Sequence, residues 1–135
     1  MGVASATKVL VAEDNPALAG VVRFNLKRAG FDVTVARNGR EALEAASRTP
    51  FGVVITDQQM PELTGTELCA ELRRREEYRD TPIIMLTAKG LELDIEALRQ
   101  RLGVWAALPK PFSPAELIGL VEECVEEHLS VVSGP

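Results

Sequence analysis

The chain has 135 residues, 46% of them hydrophobic, which is enough for one globular domain with a real core (positions 1–135, core about 8–129) and too little for a second. A formal net charge of -5 and an isoelectric point near 5.0 argue against a direct nucleic-acid binder, which usually carries a basic face. Cys69 and Cys124, with no CxxC or Cys/His spacing, exclude a zinc site and a disulfide framework. No apolar run approaches the ~20 residues that span a bilayer, and the amino terminus lacks a signal-peptide pattern, so a soluble, cytoplasmic protein is expected.

In chain order, Val9, Leu10 and Val11 form an apolar run that ends in Ala12, Glu13 and Asp14, a strand delivering two carboxylates to its end. Asn15 is a good N-cap and Pro16 suits the first helical turn; Leu18, Val21, Val22 and Leu26 then recur at helical spacing until Gly30. Phe31 to Ala36 alternates as a half-exposed edge strand would, Asn38-Gly39 turns the chain, and Ala42, Leu43 and Ala46 mark a short helix ending near Thr49-Pro50. Val53, Val54 and Ile55 are consecutive β-branched residues, which suits a strand covered on both faces, with Asp57 at its carboxyl end. Taken alone, Asp57 could face a ligand crevice or simply open a turn.

Thr64 and Glu67 form a capping box for a helix predicted to run to about Glu77, with Leu68 and Leu72 facing the sheet. Ile83 to Leu86 is another buried run, ending at Thr87-Ala88. A helix carrying Leu91, Ile95, Leu98 and Leu102 is closed by Gly103, and Ala106 to Leu108 is a weak fifth strand before Pro109-Lys110-Pro111. Ser113, Pro114 and Glu116 start the last helix, with Leu117, Leu120, Val121, Cys124 and Val125 on one face and a frayed tail expected from Val131 to Pro135. Strict alternation of strand and helix makes this an α/β protein with a parallel sheet and helices on both faces.

The strand ends would then present Glu13 and Asp14, Asp57, Thr87 and Lys110 on one rim. Carboxylates ~4 Å apart repel by about 4 kcal/mol per pair at an effective dielectric of 20, so the cluster calls for protons or a cation. Mg²⁺ takes one or two carboxylates plus a phosphate oxygen, Lys supplies a point charge to a phosphoryl oxygen, and Thr a hydroxyl donor. The pattern reads as a metal-plus-phosphoryl site.

The ordered set Glu13-Asp14, Asp57-x-x-Met60-Pro61 with Gly65 after it, Thr87-Ala88 and Lys110-Pro111-Phe112 resembles that of response regulator receiver domains, over about Lys8 to Leu129. The resemblance implies a flavodoxin-like, doubly wound (βα)5 three-layer sandwich with strand order 2-1-3-4-5. It implies that Asp57 is the phosphoacceptor, that Glu13, Asp14, Asp57 and the backbone carbonyl of Gln59 hold Mg²⁺, and that Thr87 and Lys110 bind the phosphoryl oxygens. A cis Lys110–Pro111 bond is expected with it. The implied donor is a phosphohistidine on a sensor histidine kinase or phosphotransfer protein, the output a downstream protein, and the module a monomer or weak homodimer rather than an enzyme in the ordinary sense.

Some positions depart from the family pattern. The aromatic residue usual three positions before the lysine is here Ala107, which has no rotamer to switch; Trp105, two residues earlier, could share its strand face. The interval from Thr87 to Lys110 is one residue longer than usual, an excess expected around Arg101 to Gly103. Gln59 and Lys89 stand where the family tunes acyl phosphate lifetime, and His128 is expected to be exposed and outside the chemistry. The competing readings are a nonphosphorylated docking module of the same fold, a Mg²⁺-dependent aspartyl phosphohydrolase, which typically needs an Asp where Gln59 stands, and a flavodoxin-like cofactor binder, which leaves the three carboxylates unexplained.

Overall fold

The computed structural model describes residues 7–88 and 94–133. Strands β1 (Lys8–Ala12), β2 (Asp32–Ala36), β3 (Val53–Asp57), β4 (Ile83–Thr87) and β5 (Val104–Pro109) alternate with helices α1 (Pro16–Arg28), α2 (Gly39–Arg48), α3 (Gly65–Arg73), α4 (Ile95–Leu102) and α5 (Pro114–Ser133). The sheet order is β2-β1-β3-β4-β5 and every pairing is parallel. Because successive side chains of a strand point to opposite faces, the apolar runs of β1, β3 and β4 feed two cores. Leu10, Val54, Ile83 and Met85 meet Ala42, Ala46, Leu68, Leu72 and Leu98 of α2, α3 and α4. Val9, Val11, Ile55, Ile84 and Leu86 meet Val22, Leu26, Leu117 and Val121 of α1 and α5.

Local signals place the helix starts. The Asn15 side chain accepts hydrogen bonds from the Ala17 and Leu18 N–H groups at 2.9 and 3.1 Å. Thr64 and Glu67 close both halves of their capping box, at 2.8 and 3.2 Å, and Ser113 and Glu116 do the same at 2.8 and 3.1 Å. Gly103 closes α4 in the left-handed region, φ 67°.

Three expectations change. The third helix stops at Arg73 rather than near Glu77, and Glu76–Tyr78 forms a 3₁₀ turn. The turn buries Tyr78, whose hydroxyl accepts from the Phe51 N–H at 3.2 Å and lies within donating reach of the Ala46 and Thr49 carbonyls, at 3.0 and 2.8 Å. Continuing the α-helix would forgo that site. The last helix runs on to Ser133 instead of fraying at Val131, since each added residue contributes one backbone bond to a helix already nucleated. The fifth strand is longer than Ala106 to Leu108 and contains an irregularity: Ile83 pairs with Val104, but Ile84 pairs with Ala106. Trp105 is thus an extra residue on β5, a β-bulge inside the Thr87–Lys110 interval, of which positions 89–93 lie outside the described residues. Leu91 lies outside the described residues. Among those described, no helix is long and apolar enough to cross a membrane.

Candidate functional site

The order β2-β1-β3-β4-β5 makes the carboxyl ends of β1, β3, β4 and β5 successive neighbours, so residues far apart in sequence meet on one rim. One carboxylate oxygen each from Glu13, Asp14 and Asp57 lie within 4.8 Å of one another. Lys110 Nζ donates to Asp57 Oδ2 at 3.0 Å and sits 3.4 Å from Glu13 Oε1. Thr87 is buried at the end of β4, and its carbonyl accepts from the Lys110 N–H at 2.7 Å, which fixes where the lysine side chain leaves the backbone. The Lys110–Pro111 bond is cis, as expected.

Burial sets the electrostatics. Glu13 is 1% exposed and Asp57 4%, whereas Asp14 is exposed. The Glu13 carboxyl is pushed above the usual carboxylate range, first by burial and then by the charge of Asp57, against the Asn15 hydrogen bond and Lys110, which pull it down. For Lys110, burial works to lower the pKa, but the hydrogen bond to Asp57 and the charges of Glu13 and Asp57 outweigh it and raise it. One site atom is left without a hydrogen-bond partner: the buried Glu13 Oε1. A buried anionic oxygen with only a lysine 3.4 Å away, beside two further carboxylates, is the donor chemistry that a hard divalent cation satisfies. Among the described residues this is the one cluster of three or more potential metal-ligating side chains.

The loop after β3 is built to hold Asp57 in place. The Gln59 N–H donates to Asp57 Oδ1 at 3.3 Å, while the Gln59 side chain is exposed. The Gly65 N–H donates to the Gln58 carbonyl at 3.0 Å, and a Cβ on Gly65 would lie 2.5 Å from the Asp57 carbonyl oxygen, so only glycine allows this approach. Gln58 Oε1 accepts from both the N–H and the hydroxyl of Thr66, each at 2.8 Å, tying the strand end to the first turn of α3. The sequence reading missed this Gln58–Thr66 tie, because nothing in a hydrophobic pattern links polar residues eight apart. It also missed the second job of Asn15, whose N–H donates to Glu13 Oε2 at 3.1 Å while its side chain caps α1.

Two expectations outside the rim are corrected. Trp105 does not share a face with Ala107: the bulge breaks the two-residue alternation, so Trp105 packs on the core that contains Leu108 while Ala107 pairs with Met85 of the opposite one. His128 is half-buried, not exposed, and lines a cleft of about 420 Å³ with Asp80, Trp105 and Cys124. Lys89 lies outside the described residues.

A family model described as response regulator receiver domain matches residues 9–122. Among solved structures, the chain is similar to the chemotaxis response regulator CheY4 of Vibrio cholerae, at 33% identity and a TM-score of 0.80 over 87% of this chain and 98% of that one. It is similar to the signal receiver domain of a signal transduction histidine kinase from Syntrophus aciditrophicus, at 30% identity and a TM-score of 0.79 over 90% and 92%. It is also similar to the receiver domain of the sensor histidine kinase PA1611 from Pseudomonas aeruginosa, at 34% identity and a TM-score of 0.78 over 87% and 96%, a structure with a magnesium ion coordinated in the active site cleft.

Proposed function

The chain belongs to the response regulator receiver family of two-component signalling, and from that premise we propose that Asp57 accepts a phosphoryl group from a phosphohistidine on a sensor histidine kinase or phosphotransfer protein. An Asp57 carboxylate oxygen attacks phosphorus in line, the phosphorus–nitrogen bond breaks, and the imidazole leaves with the electron pair. The observation that carries this reading is Lys110 Nζ at 3.0 Å from Asp57 Oδ2 and 3.4 Å from Glu13 Oε1, a cation held where charge would develop.

Glu13, Asp14, Asp57 and the Gln59 backbone carbonyl would hold Mg²⁺, which when bound neutralises phosphoryl oxygens beside the acidic cluster. Lys110 exchanges its Asp57 oxygen for a phosphoryl oxygen as the acyl phosphate forms, and Thr87 donates its hydroxyl to another. The Gln59 N–H bond and the close approach of Gly65 keep Asp57 from turning away.

Donor docking has a matching surface beside the rim. Helix α1 follows directly from Asp14 and Asn15, carries Arg23, Lys27 and Arg28 with no acidic residue, and exposes Val21 and Phe24 by 48% and 60% in a chain of net charge -5. A cleft of about 420 Å³ runs from Glu13 and Asp14 past Gly20 to Arg23 and Arg37. A donor presenting acidic groups around an apolar seat fits this face.

Incubation with Mg²⁺ and acetyl phosphate, followed by intact mass, is expected to add one phosphoryl group to the wild type and none to Asp57→Asn. Label persisting on Asp57→Asn would move the acceptor elsewhere.

A further inference from the structure

Helix α4 is seated differently from its neighbours. Only Leu98 of its residues is buried, with Ile95 and Leu102 partly packed on the same core, whereas α3 buries Gly65, Leu68, Cys69 and Leu72. The strand it lies against offers little in return: β5 presents Val104 and, opposite Met85, the single methyl of Ala107.

A polar tie stands where side-chain burial is thin. Arg73, the last residue of α3, donates from Nε to the Leu102 carbonyl at 2.6 Å, from Nη2 to the Gly103 carbonyl at 3.1 Å, and from Nη1 to the Tyr78 carbonyl at 2.6 Å. The first two lie at the carboxyl end of α4, where carbonyls lack intrahelical partners and a cation meets the negative end of the helix dipole. Among the described residues no carboxylate comes within 4.0 Å of Arg73, so its guanidinium is committed to backbone. Burial pulls its pKa down, with Cys69 and Asp80 acting the other way, but a guanidinium stays protonated in proteins.

We propose that Arg73 is the latch that seats α4: its three-carbonyl fork, more than side-chain burial, decides whether α4 lies on the sheet, so that α4 opens as a unit when the fork is lost while the central strands stay closed. The planar fork matters because a lysine ammonium on a shorter reach cannot serve the three carbonyls in their present geometry. Gly103 belongs to the same device. At φ 67° it turns the chain from α4 into β5, and a Cβ there would stand 3.3 Å from Arg73 Nη2.

Hydrogen exchange read by mass spectrometry on the full chain, without metal or phosphodonor, tests this independently of the phosphoryl chemistry. Arg73→Met is expected to speed exchange of the amides of α4 and Gly103 by about tenfold or more, Arg73→Lys by less, with β1 and β3 amides unchanged. Unchanged α4 exchange, or acceleration shared in proportion by β1 and β3, would overturn the proposal. Should Arg73→Met fail to fold, Arg73→Lys and Gly103→Ala carry the same comparison, each expected to loosen α4 selectively.

Discussion

Strands β3 and β5 end on the same rim and are built in opposite ways. β3 has a paired neighbour on each side and all five of its residues buried, so its register cannot slip without turning apolar side chains out of a core. β5 lies at the edge, alternates buried with half-buried residues, and carries a bulge at Trp105 and a proline at its end. The edge nonetheless delivers Lys110 correctly, because the bulge falls at the start of β5 and the pairing from Ile84–Ala106 to Thr87–Pro109 is regular again before the lysine. Central strands hold the carboxylates; the edge strand confines its irregularity to the end remote from the chemistry.

The first way to break this contrast is chemical. Lys110→Met removes the one edge-derived charge from the site, and phosphorylation by acetyl phosphate is expected to slow by about 10²-fold or more, read from the rate of mass gain. A change below about threefold would mean that the edge strand contributes nothing to the chemistry.

The second is structural. Ile55→Ala, in the middle of β3, is expected to cost about 2–5 kcal/mol in denaturant unfolding, and Leu98→Ala, under the thinly seated α4, to fall near the low end of that range. Equal costs would erase the distinction between a specified centre and a loosely held edge.

The third uses pH. Glu13 has its folded-state pKa raised from 4.5, so the folded chain holds more protons than the unfolded one above that pH. Its contribution is fully present below pH 4.5 and is lost as pH rises through the folded value. In metal-free buffer, Glu13→Gln is therefore expected to flatten the fall in stability from pH 4.5 upward and to be the more stable chain at neutral pH, measured by urea titration. A wild type that gains stability relative to Glu13→Gln over that interval would contradict the burial of an uncompensated carboxylate.

The smallest expected effect is optical. Trp105 is the single tryptophan and sits at the start of β5 on the α5 side, remote from the rim, so a Mg²⁺ titration should change its fluorescence by no more than about a few per cent. A saturable quench would place the metal, or a conformational response to it, at the bulge.

What could be read in the amino acids follows the same division. Val53, Val54 and Ile55 with Asp57 behind them, Asn15-Pro16, and the Thr64–Glu67 pair are local signals whose consequences are local, and each element stands where its residues put it. The convergence of Glu13, Asp14, Asp57 and Lys110 was legible because strict β/α alternation leaves few topologies, and the family pattern selected one. The bulge at Trp105 was not, since one added residue shifts strand parity without altering composition. Nor were the buried Tyr78 hydroxyl and the Arg73 fork, which bond to carbonyls brought near only by the finished fold.

Borohydride trapping tests the central claim most directly, because it reduces an aspartyl phosphate to homoserine and marks the acceptor in the peptide map. After incubation with acetyl phosphate, homoserine is expected at position 57 alone and only when Mg²⁺ is present. Homoserine at position 14, reduction at Glu13, or equal labelling of Asp57 in a chelator would contradict an acceptor held by a carboxylate-bound cation and Lys110.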